Sequence, residues 1–161
     1  MTENRKHPLA GIIILMVFFT LTSCTGKNIY SGSEMIPDYS WNLANKVSFE
    51  ADIEDTLSVC DINLTIRTDK NYPYRNIFLF VKTSSPRGES IKDTVEYLLA
   101  DSKGNRYGSG LGDVSDLTVP FKTKVVFPVK GIYTFDIKHG MRDPNLEGVT
   151  DIGLQITRIK Q

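Results

Sequence analysis

The residue best placed to do chemistry is Cys24, which closes the run Leu21-Thr22-Ser23-Cys24 behind an apolar segment. Arg5, Lys6 and His7 form a short basic head, and Leu9 to Phe19 follow as apolar and small residues without a charge. That run falls short of the roughly 20 apolar residues of a bilayer-crossing helix and reads as a secretory signal. Leu, two small residues and Cys then fit the lipobox at which bacterial lipoprotein signals are processed. A thiolate is a nucleophile suited to taking up a diacylglyceryl group. Two acyl chains on one cysteine give the stable anchoring that a single chain does not. The expectation is that 1–23 is a lipoprotein signal peptide and that Cys24 becomes the lipidated first residue, tying the protein to a membrane.

Other chemistry is sparse. Once Cys24 is acylated Cys60 is the last thiol, which leaves no intrachain disulfide and no cysteine-based metal site. Cys60 alternates with Asp61, Asn63 and Thr65 on the apolar side of its segment, so it reads as a small buried core residue. His139 is the one histidine of the processed chain and follows an alternating segment, where a solvated strand end is expected. No phosphate-binding glycine loop, His-Glu-x-x-His or Gly-x-Ser-x-Gly is present. Asp113 and Asp116, and separately Asp143, Glu147 and Asp151, could offer oxygens to calcium, but their spacing matches no calcium loop and they read as solvated turn carboxylates. The chain is thus expected to be no enzyme, with no catalytic residue, metal or cofactor. A hydrolase would need carboxylates paired in space rather than in sequence.

Charge narrows the partners. Lys and Arg equal Asp and Glu at 19 each, and no basic block stands out, so neither nucleic acid nor an anionic lipid surface is expected as a partner. Two stretches instead suit protein contacts. Asn71-Tyr72-Pro73-Tyr74-Arg75-Asn76 concentrates two tyrosines and an arginine, residue types that dominate interface hot spots, although a structural corner with aromatic packing has the same composition. Gly140-Met141-Arg142-Asp143 opens a loop in which Arg142 either pins a carboxylate or faces a partner. The candidate partner-binding residues are therefore Tyr72, Tyr74, Arg75 and Arg142.

The elements that must position them are strands. Val47 to Ile53 and Cys60 to Arg67 alternate apolar with polar residues, as half-buried strands do. Asn76 to Lys82 is apolar at every inner position and predicts a central strand covered on both faces. Ile91 to Leu99, Lys122 to Phe127, Ile132 to Lys138 and Ile152 to Ile159 predict further strands. Arg106 to Val119 reads as a long glycine-rich loop with at most one short strand, and His139 to Thr150 as another loop. Seven to nine short strands without helical crossovers predict an all-β antiparallel sandwich of jelly-roll or immunoglobulin-like kind. The domain plan is a signal at 1–23, the lipidated Cys24 with a polar tether over 24–40, and the sandwich over 41–161. No Asp follows Cys24 directly and no acidic run follows it, which favours the outer membrane and its periplasmic face.

The order of several short runs resembles the GldH family of gliding-motility lipoproteins of the Bacteroidetes. The runs are Trp41, Val47-Ser48-Phe49, Tyr72-Pro73-Tyr74-Arg75-Asn76-Ile77-Phe78-Leu79-Phe80, Asp93-Thr94-Val95-Glu96-Tyr97, Gly131-Ile132-Tyr133-Thr134-Phe135, Met141-Arg142, and Gly148-Val149 before Asp151-Ile152-Gly153-Leu154. They cover nearly the whole processed chain, and Tyr-Pro-Tyr-Arg-Asn is the most specific of them. The resemblance implies an envelope lipoprotein associated with gliding and with the secretion apparatus that shares its components, and it implies no catalytic residue. The alternative is a glycan-binding sandwich, which needs exposed rings; Trp41 and several tyrosines are its candidates.

Overall fold

The computed structural model describes residues 28–110 and 112–159; the expected signal peptide and Cys24 lie outside them. Ten strands follow in chain order: β1 Asn28–Met35, β2 Ser40–Asn42, β3 Val47–Ile53, β4 Cys60–Thr68, β5 Asn76–Ser84, β6 Ser90–Leu98, β7 Ser115–Val125, β8 Gly131–His139, β9 Asn145–Glu147 and β10 Val149–Arg158. Eight of them form two antiparallel sheets, ordered β1-β10-β4-β7 and β3-β8-β5-β6, and β2 pairs with β9. Except for the β5-β6 hairpin, successive long strands alternate between the two sheets. That order is the double Greek key of a jelly roll, which decides between the two sandwich kinds that the sequence allowed.

Alternation builds the core directly. The pattern in β3 and β4 is strictly buried at every second residue. Leu64 and Ile66 of β4 and Ile152, Leu154 and Ile156 of β10 face Ala51 and Ile53 of β3, Ile77 and Leu79 of β5, and Phe135 and Ile137 of β8, all essentially without exposure. Each large side chain so buried contributes about 1.5–3 kcal/mol. Cys60 sits in this core as expected. Trp41 and Leu146, opposite each other across β2 and β9, close one end of the sandwich.

Four expectations are corrected. The polar stretch 24–40 is not a tether from Asn28 on: Asn28 to Met35 pair with β10 from Thr157 back to Asp151. Its weak signal is explained by its place at a sheet edge, where only Ile29 and the Tyr30 ring, edge-on to Phe49 at 6.4 Å, pack against the core. The predicted loop over 106–119 contains the start of β7, which runs unbroken through Pro120. Proline is tolerated there because β7 is an edge strand, bridged on its far side by Ser109 at Asp116 and not at Pro120. The loop 139–150 contains β9. The central strand β5 is covered on one face only, since Phe78 and Phe80 are exposed.

If β1 is part of the sheet, a processed chain lacking 28–35 should lose at least ~3 kcal/mol of stability, roughly 10 °C or more in Tm. A dispensable tether would leave the melting curve unchanged.

Candidate partner-binding surface

All eight long strands run between two ends of the sandwich. One end holds Asn28, the 54–59 loop, the 85–89 turn and the end of β10; the other holds the 69–75, 99–114 and 140–148 loops. The four candidate residues lie at this second end, and the structure divides them. Tyr72 is only 6% exposed. Its hydroxyl donates to the Asn76 carbonyl at 2.7 Å, and burial, with the neighbouring Tyr74, pushes its pKa up against the pull of Arg106. Tyr72 is therefore a support and not a contact residue, which corrects the expectation for it.

Gly148 explains how closely this corner is built. It has φ of +79°, and a Cβ on it would lie 2.3 Å from the Tyr72 nitrogen, so a side chain there meets backbone as well as strain. The loop is clipped further by Arg106, which donates to Thr68 Oγ1 at 2.6 Å and to the Asp69 carbonyl at 2.7 Å.

Above this support Tyr74 is 37% exposed, and its ring stands edge-on to Tyr72 at 6.2 Å. Its hydroxyl donates to Asp143 Oδ2 at 2.7 Å, and that bond raises its pKa most, with burial adding to it and Arg142 opposing. Arg75 is exposed, and its guanidinium makes one long contact, 3.4 Å, with the Asp101 carbonyl. Its backbone carbonyl takes the N–H groups of Leu99 and Ala100. Arg142 is exposed beside the Tyr74–Asp143 pair. Tyr74, Arg75 and Arg142 thus share one end, held by a rigid corner.

Sequence reasoning missed the surface that continues from there. Phe78 is 36% and Phe80 47% exposed on the outer face of β5. Met141 meets the first of them, its Sδ accepting the Phe78 N–H at 3.4 Å, and Gly140 lies against the Phe80 ring and the Phe78 Cβ. The signal was parity. Asn76 and Lys82 fall on the same side of the strand as Phe78 and Phe80, so polar residues flank the two rings on a solvated face.

The carboxylates considered for calcium are each engaged: Asp113 by Lys70, Asp116 and Asp151 by Arg67, Asp143 by Tyr74 and Glu147 by Ser40. Among the described residues no group of three His, Cys, Asp or Glu side chains could hold a metal ion. Trp41 is 1% exposed, with Nε1 donating to the Asn45 carbonyl at 3.2 Å, so it offers no platform to a sugar. His139 is not at a solvated strand end but fully buried, its ring 5.4 Å from that of Trp41. It continues the inward row of Tyr133, Phe135 and Ile137, and neither ring nitrogen has a hydrogen-bond partner.

The fold and this surface define a jelly-roll domain that displays aromatic and cationic side chains at one end and along one sheet. The family model for GldH lipoproteins matches residues 28–156. A gliding motility lipoprotein GldH homolog of Christiangramia forsetii is 33% identical over 160 residues, covering 95% of this chain and 98% of that one. The gliding motility lipoprotein GldH of Flavobacterium johnsoniae is 30% identical over 151 residues, covering 89% and 93%. Among solved structures, a family GH115 4-O-methyl-α-glucuronidase aligns with 83% of the chain at 10% identity and a TM-score of 0.34; the chain spans 17% of its length, and the likeness is too distant to bear on function. The chain belongs to the GldH family of gliding-motility lipoproteins, and as a lipoprotein it is membrane-anchored.

Burial holds the His139 pKa below its ordinary value, with the Trp41 backbone and Asp143 opposing. The unfolded chain therefore takes up a proton below about pH 6.5 that the folded chain refuses, so stability should fall by up to ~1.4 kcal/mol per pH unit from there until the depressed pKa is reached. Denaturant titrations between pH 7.5 and 5 should show this fall, and His139→Phe should abolish it.

Proposed function

We propose that this protein is a non-enzymatic lipoprotein held by lipid on Cys24 to the outer membrane, facing the periplasm, where it serves gliding motility and its secretion apparatus by binding another envelope protein. The observation that carries this reading is where Tyr74, Arg75 and Arg142 lie. Three residues separate Cys24 from Asn28, a reach of about 14 Å even when extended, so the Asn28 end of the sandwich stays beside the lipid. The strands carry the chain roughly 30 Å from that end, and the exposed Tyr-Arg cluster sits on the opposite end, clear of the membrane. Rings and guanidinium groups on a rigid corner have the composition of an interface hot spot. The names of the relatives support the cellular setting.

Crosslinking of the lipidated protein in its own membranes, followed by identification of the captured proteins, tests the reading. The double variant Tyr74→Ala, Arg75→Ala should melt within about 2 °C of the parent, because both side chains are exposed and make few bonds, while capture falls at least ~10-fold. Cys24→Ala should leave the membrane fraction and lose the same partners. Unchanged recovery from the double variant would place the contact elsewhere, and capture of no envelope protein would remove the reading.

A further inference from the structure

The outer face of the β3-β8-β5-β6 sheet has a composition that solvation does not explain. In register, Lys138, Phe80 and Thr94 form one row across β8, β5 and β6, and Asp136, Lys82 and Lys92 form the next. Lys46 reaches the same place to pair with Asp136 at 2.8 Å. These side chains surround a shallow cavity of about 400 Å³, floored by the Phe80 ring. Four lysines therefore line the cavity with two carboxylates, both already engaged: Asp136 by Lys46 and by Ser48 Oγ at 2.6 Å, and Asp93 by Lys122 at 2.7 Å. Lys82 and Lys92 stand directly opposite each other, and like charges so placed destabilise a sheet. Towards the Tyr74 end the same face carries the exposed Phe78 and Leu98, with Glu96 opposite Phe78 and bonded by Asn76 at 2.7 Å.

We infer that this sheet face is a docking surface for an extended acidic segment of a partner protein whose apolar side chains and carboxylates fall at every second residue, on the one face that meets the sheet. This rests on the reading above that the domain binds a protein, and names the chemistry of what it binds. An extended segment lying along β5 places alternate side chains about 7 Å apart, the spacing of Phe78, Phe80 and Lys82. Its carboxylates would relieve the repulsion between Lys82 and Lys92 and pair with Lys138, while its apolar groups would cover the two rings. A glycan would need free acceptors for its hydroxyls, and Asp136 is taken.

Two measurements on one protein decide it. A photoreactive benzoylphenylalanine is placed at Phe80, or separately at Tyr74, in the full lipidated chain in its membranes. In parallel, the purified processed domain is titrated with a short synthetic peptide carrying Phe, Phe, Glu and Glu at every second position with Ser between them, and with its Gln counterpart. The expected result is a protein crosslink from position 80 within an acidic segment, and binding of the Glu peptide at least ~10-fold tighter than the Gln peptide. Lys82→Glu with Lys92→Glu should abolish that difference, as should about 0.5 M salt. Lys82→Gln with Lys92→Gln, which keeps a neutral face should the Glu pair fail to fold, should weaken binding of the Glu peptide at least ~5-fold. Equal binding of the two peptides, a crosslink to a neutral or basic segment, or displacement of the Glu peptide by phosphatidylglycerol vesicles or oligogalacturonate would overturn the inference. Crosslinking from position 74 but not 80 would overturn it and leave the protein-binding reading intact; crosslinking from neither would remove both.

Discussion

Burial of every second side chain between two sheets is the constraint on which the rest of this structure depends. Phe135, Ile137 and His139 on one sheet and Leu64, Ile66 and Leu154 on the other fix which way each strand faces. A slip of one residue would turn the whole set outward. Because the inner parity is fixed, so is the outer one, and Phe78, Phe80 and Lys82 are exposed as a consequence of Ile77, Leu79 and Val81 being buried. The surface proposed to meet a partner is the reverse side of the core.

The strand order then decides what each end of the molecule can do. With β1 at a sheet edge and starting at Asn28, the chain enters the domain at the end away from Tyr74 and Arg142. On the proposed reading, anchoring and recognition are separated by the length of a strand. The end that carries Tyr74 is stiffened where loops would otherwise be soft: Gly148 admits the backbone of Tyr72, Arg106 clips the 99–114 loop to Thr68 and Asp69, and β2 with β9 caps the core. Order at such loops lowers the entropy lost when a partner binds. The buried, unbonded His139 beneath Trp41 lies under the same end.

How much was legible depended on whether a signal was local. The strict alternation of β3, β4 and β8 reads straight from sequence, because one face of each is buried along its whole length. β1 escaped because an edge strand is held mainly by backbone hydrogen bonds, which leave little side-chain trace. The first half of β7 escaped because its glycine-rich approach and Pro120 resemble a loop, and only an unpaired edge makes proline admissible there. Tyr72 and Tyr74 are two residues apart with the same ring, yet one is core and one is surface, since Gly148 and Asn76 close over the first, while the second lies outside it with its hydroxyl on Asp143.

The sequence by itself determined the class of fold, the family and most strand boundaries, because hydrophobic periodicity and short motifs are properties of neighbouring residues. It also limited the chemistry, through the lack of catalytic motifs and the near balance of charge. The tertiary structure decided the jelly-roll order, the buried places of Trp41 and His139, and the meeting of Phe80 with four lysines drawn from β5, β6, β8 and the segment before β3. Those residues lie far apart in the chain, and only the register of paired strands brings them to one face.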